Sequence, residues 1–153
     1  MISSWLLRSV IILGFFSEWA LPANRYVQDP TSLFDQNTIK KAHQMISELK
    51  ATHQVEVYFE TFNHIPITDL ATAESKPDRD PLFNTWIKKR SKAKGIRSLY
   101  VGISKSQAAL GVYVGEQLIE KKIFTENDRI IFMRLLAENF GRKNYNQGLI
   151  ESV

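Results

Sequence analysis

The stretch Gly95–Glu116, GIRSLYVGISKSQAALGVYVGE, restricts the fold more than any other part of the chain. Two apolar runs flank a short polar turn. Leu99, Val101 and Ile103 fall on one side of the first run, and Leu110, Val112 and Val114 on one side of the second. That two-residue period belongs to strands, so the stretch is read as a pair of strands joined by a tight connection, with glycines at 95, 102, 111 and 115.

The elements before and after it alternate in period. Ile39, Ala42, Met45, Ile46 and Leu49 recur every three or four residues and give one apolar helix face, with Lys40, Lys41, Glu48 and Lys50 opposite. Asp35 or Asn37 can cap that helix by accepting backbone N–H bonds. Val55–Phe62, VEVYFETF, alternates as a strand with one apolar and one mixed face. After an irregular region from Asn63, Asp80-Pro81 reads as an N-cap and first helical residue, opening a helix that carries Leu82, Phe83, Trp86 and Ile87. Thr125 with Asp128 three residues on is a capping box, and its helix is expected to stop at Gly141 in the left-handed C′ position. Gly148-Leu149-Ile150 begins a further short helix. Helix, strand, helix, hairpin and helix together imply a two- or three-layer α/β sandwich.

Residues 1–23 stand apart. Arg8 precedes the apolar run Val10–Phe16, and a small-residue end at Ala20-Leu21-Pro22-Ala23 follows, the layout of a secretory signal peptide. The uncharged window between Arg8 and Glu18 holds nine residues, short of the ~20 that cross a bilayer. Export to the periplasm or outside the cell is therefore expected, with an uncleaved membrane anchor over residues 1–23 as the alternative. Residues 24–153 form the one domain.

Composition removes several chemistries. There is no cysteine, so disulfides, thiolate catalysis, iron–sulfur clusters and cysteine-ligated zinc are out. His43, His53 and His64 have no metal-binding spacing, and no P-loop, GxGxxG or GxSxG is present. Asp78-Arg79-Asp80 looks like a DxD metal motif, but the capping role of Asp80 accounts for it. The net charge of +4 favours anionic partners, and six of the ten residues from 88 to 97 are basic: Lys88, Lys89, Arg90, Lys92, Lys94 and Arg97. These six are the candidate anion-binding set. A solvated helix end, with cations at the negative end of the helix dipole, is the preferred account of them. Without interleaved aromatics, nucleic-acid binding by base stacking is not expected.

The ordered set of elements resembles the TPM-domain family of exported bacterial and thylakoid-lumen proteins. The V-x-D element that opens the domain is matched by Val27-Gln28-Asp29, the tryptophan-bearing helix by Trp86, and the glycine before the hairpin by Gly95. The V-G element that ends the hairpin is matched by Val114-Gly115, and the closing aromatic, tyrosine and glycine by Phe140, Tyr145 and Gly148. The resemblance implies a mostly parallel central sheet with one hairpin, flanked by helices. It also implies calcium binding or phosphatase-like hydrolysis, as proposed for some members.

Here the sequence departs from the family. The Asp-Asn-Gly before the hairpin is matched by Ala93-Lys94-Gly95, the aspartate of the glycine-aspartate-tyrosine element by Asn144, and the second glycine of V-G-x-G by Gln117. Asp29 alone of the expected polar set remains, as the one candidate metal ligand. Hard cations need several oxygen ligands at one site, so no cofactor is expected and calcium is disfavoured. The expected function is a non-catalytic interaction or assembly module near a membrane, with a partner that the resemblance places there. A phosphatase-like enzyme using Asp29 and an anionic-lipid or nucleic-acid binder through Lys88–Arg97 are the alternatives.

Overall fold

The computed structural model describes residues 25–65 and 76–153, so the signal-peptide reading of residues 1–23 lies outside the described residues. The strands are β1 (Val27–Gln28), β2 (Val57–Phe62), β3 (Leu99–Ser104) and β4 (Ala109–Val114). The helices are α1 (Gln36–His53), α2 (Lys76–Ala93), α3 (Glu116–Glu120), α4 (Glu126–Gly141) and α5 (Tyr145–Glu151). The strands form one sheet in the order β1-β2-β3-β4. β1, β2 and β3 run parallel and β4 returns antiparallel to β3, so the expected hairpin and mostly parallel sheet are both present. No described helix is long and apolar enough to cross a membrane.

The strand register sorts the side chains into two cores. Val27, Phe59, Val101 and Val112 are direct cross-strand neighbours in one row, and Val57, Leu99 and Val114 in another. Both rows are buried with Ile39, Ala42 and Ile46 of α1, Leu136 of α4 and Leu149 of α5. Full burial of each such side chain stabilises the fold by roughly 1.5–3 kcal/mol. The opposite face carries the rows Tyr58-Tyr100-Tyr113 and Gln28-Glu60-Gly102-Gly111. Against it α2 packs Phe83 and Ile87, both fully buried. The sheet is thus the middle of three layers.

The glycine pair determines how close α2 can come. A β-carbon at Gly102 would lie 1.9 Å from Ile87 Cδ1, and one at Gly111 would lie 2.9 Å from Ile87 Cγ1 and 3.0 Å from Phe83 Cδ1. Ile87 therefore fills the space that two side chains would otherwise occupy. Gly115 serves the other end of the hairpin: a β-carbon there would meet the Arg97 carbonyl oxygen at 1.8 Å.

Local capping follows the sequence in two places and departs from it in two. Asp35, not Asn37, caps α1, its carboxylate accepting from Thr38 N at 2.7 Å. Thr125 and Asp128 form the capping box of α4. The helix of Trp86, however, begins at Lys76, so Asp80 is an interior residue and Pro81 lies inside α2. The first four residues of a helix donate no intrahelical bond, so Pro77 costs nothing, whereas Pro81 removes a single donor. Gly141 is likewise not the left-handed C′ residue. It is the last residue of α4, Arg142 follows at φ −88°, and the left-handed turn falls on Lys143 at φ 63°.

These two glycines should respond oppositely to substitution. Gly115→Ala must displace backbone and is expected to cost about 1–3 kcal/mol or more. Gly141→Ala meets nothing within 4 Å and should gain up to ~1 kcal/mol of helix propensity. Chemical denaturation of both variants gives the sign and size.

Candidate functional site

Asp29 sits just past β1, where the chain turns into α1. Its Oδ1 lies 2.6 Å from the Thr61 hydroxyl and 3.0 Å from the Thr31 hydroxyl, which stand 2.9 Å from each other. Each hydroxyl has one proton, so Thr61 donates to Asp29 while Thr31 shares its proton between Asp29 and Thr61. Oδ2 accepts from Phe34 N at 2.7 Å. Partial burial by itself pushes the Asp29 pKa up, but bonds from Thr61, the Phe34 and Leu33 amides and Thr31 outweigh it, holding the carboxyl below its ordinary value. Thr61 is fully buried and Thr31 nearly so. The carboxylate thus ties the turn at 30–34 to β2, with three of its about four lone-pair sites already addressed.

The basic run divides once folded. Glu60, 7% exposed, faces α2 from the middle of β2. Arg90 grips it bidentately at 2.9 and 2.6 Å, Lys94 Nζ lies 2.8 Å from its Oε2, and the Tyr100 hydroxyl donates to the same oxygen. Lys94 also donates to Gln28 Oε1 at 2.7 Å. Burial alone pushes the Glu60 pKa up; the bonds from Arg90, Lys94 and Tyr100 reverse this and bring it down from 4.5 to about 2. Burial, followed by its bond to Glu60, raises Tyr100, which stays a donor. The Arg90 guanidinium also lies over the Phe62 and Trp86 rings, at 4.9 and 5.4 Å from their centroids.

Of the six candidate anion-binding residues, half-buried Arg90 and exposed Lys94 are therefore already paired with Glu60. Lys92 lies 3.8 Å from Glu116 at the surface. Lys88, Lys89 and Arg97 are exposed and form no ion pair with a described residue. Glu60 and Tyr100 were not legible as partners. The alternation of β2 put Glu60 on the mixed face, but its cations come from 30 or more residues away.

The remaining positions scatter. Asn144 precedes α5 without a side-chain cap bond, Gln117 lies in the first turn of α3, and Lys94 is on the α2 face. His43 packs on the Tyr26 ring at 5.6 Å, His53 ends α1 and His64 follows β2. The side chains of residues 78–80 are outside the described set. Among the described residues no three His, Asp or Glu side chains converge as metal ligands. With an ammonium at Lys94 and Asp29 already hydrogen-bonded, these residues do not fit a hard cation.

A TPM domain model matches residues 27–153. The chain belongs to the TPM-domain family. No curated protein matches it. Among solved structures, the N-terminal domain of the cg2496 protein from Corynebacterium glutamicum, determined by solution NMR, superposes with a TM-score of 0.58. The match covers 84% of this chain and 78% of that one at 15% identity, and speaks for a shared fold alone. The family's closing positions gather as a packing group in this TPM domain. Phe140 contacts Phe34 and Tyr145 at 6.3 and 5.5 Å between centroids, and a β-carbon at Gly148 would lie 2.8 Å from the Phe140 ring.

The Glu60 cluster has a pH signature. Its folded pKa is below its unfolded value, so its contribution is present above about pH 4.5 and disappears as pH falls toward about 2. That contribution is on the order of 3 kcal/mol. Glu60→Gln should lower stability at pH 7 by about 3 kcal/mol, and its stability should fall less steeply between pH 4.5 and 2. Urea midpoints across that range test both.

Proposed function

We propose that this TPM domain is an exported, non-catalytic binding module that works beside a membrane. The observation that carries the first part is the state of Asp29, the one candidate ligand or acid–base group left at the family positions. Both of its oxygens accept hydrogen bonds from Thr61, Thr31 and Phe34. A depressed pKa makes it a poor proton carrier near neutrality. Lys94, at the position matched to the family's Asp-Asn-Gly, spends its charge on Glu60. These features suit a residue that shapes a turn, and they weigh against phosphatase-like hydrolysis.

Location rests on the signal-peptide pattern of residues 1–23 and on charge. Lys88 and Lys89 stand near the end of α2 and Arg97 in the loop after it, all three exposed and without a described acidic partner. Cations so placed are attracted to the headgroups of an anionic leaflet by about 1 kcal/mol each.

Four measurements test this reading. Purified protein should not turn over a generic phosphate ester, and calcium should leave its melting temperature unchanged. Asp29→Ala should lower stability by on the order of 2 kcal/mol, through the lost hydrogen bonds to a charged group. Turnover that vanishes in Asp29→Ala would sink the non-catalytic reading. Co-sedimentation with anionic vesicles at low salt, weakened by Lys88→Gln, Lys89→Gln and Arg97→Gln together, checks the membrane part.

A further inference from the structure

The carboxyl end of β3 and the start of β4 border a cavity of about 440 Å³, away from the Glu60 cluster. It lies between the β3–β4 turn, the segment before α1 and one face of α4. Leu33, Ile103, Leu110, Met133, Ala137 and Phe140 line it. Lys105 and Arg134 line it too; both are exposed, which places them at its mouth, and neither pairs with a described acidic residue. Among the described residues no carboxylate borders it.

The lip that carries Lys105 is held in place. Lys105 N donates to the Phe62 carbonyl at 2.9 Å, continuing the β2–β3 ladder by one residue. The buried Ser104 hydroxyl donates to Gln107 Oε1 at 2.7 Å, and the same oxygen accepts from Ile65 N at 3.0 Å. Arg134 rides on α4, whose start is secured by the Thr125 capping box. Both cations are therefore presented by ordered elements.

We propose that this cavity binds a small anionic amphiphile: one apolar chain or ring that carries a single carboxylate. The apolar body lies between the β3–β4 strands and α4, with Met133 adapting to its shape, and the carboxylate meets Lys105 and Arg134. The volume falls in the range of small-molecule sites, and the position is where open α/β sheets receive ligands. An inorganic anion would leave the apolar walls unused, and a neutral hydrocarbon would leave two cations at the mouth without a counter-charge. The assignment is independent of the part played by Asp29.

Decanoate and decanol, titrated into the full chain by amide-resolved NMR, test it. Decanoate should bind saturably at one site, shifting the amides of residues 103–110 and 133–141. Ala137→Trp, a change at an exposed helix position that fills the cavity, should weaken binding at least about tenfold while circular dichroism and melting temperature stay as in the parent. Lys105→Gln with Arg134→Gln should weaken decanoate by about tenfold, the loss of one charge-assisted contact, and leave decanol unchanged. Three results would each overturn the assignment: no saturable decanoate binding below its aggregation concentration, parental affinity in Ala137→Trp, or decanol binding as tightly as decanoate.

Discussion

Ile87 occupies the volume in which two β-carbons would stand, and the three-layer arrangement depends on that contact. Gly102 and Gly111 are direct cross-strand partners, so their missing side chains open one depression in the sheet. The helix sits low enough for Phe83 and Ile87 to be fully buried, and for Trp86 to stack on Phe83 and meet Phe62 edge-on. A helix held off the sheet by even one methyl group would lose much of this dispersion energy.

That close approach also makes the Glu60 cluster possible. Arg90 is three residues beyond Ile87, so the same helix face brings its guanidinium over the sheet. A carboxylate in mid-strand is tolerable only because Arg90, Lys94 and Tyr100 all donate to it. A second carboxylate, Glu56 immediately before this strand, is met in the same way by Lys50 and Arg25 at 2.7 and 3.2 Å. Two acidic residues four apart thus tie helices and the N-terminal segment to a single strand. The apparent basic patch of the sequence is to that extent an internal structural device, and only its outer members remain for a partner.

The consequences for function run through Asp29 and the strand ends. The V-x-D element keeps its aspartate, yet the hydroxyls of Thr31 and Thr61 and the backbone of the following turn use it for architecture. The open apolar volume lies further along the sheet, beside Ile103, Leu110 and α4. Scaffold residue and open volume are separate, which is how one fold can keep its shape while its chemistry changes.

Much of this was legible in the chain. The hairpin, the apolar faces of α1 and β2, and the caps at Thr125 and at Asp35 or Asn37 follow from residue type at spacings of two to four, which backbone geometry alone dictates; the family was legible only as a resemblance in the order of its motifs. The start of α2 was misread because Asp-Pro is only statistical punctuation, and a helix continues through it when packing holds it; α4 does end at Gly141, and only the left-handed turn falls later, on Lys143. The Gly102–Gly111 depression, the capture of Arg90 and Lys94 by Glu60, and the occupation of Asp29 by Thr61 had no local signal. Each depends on separate elements coming together, and only the register of the strands and the seating of a helix on them decide which side chains meet.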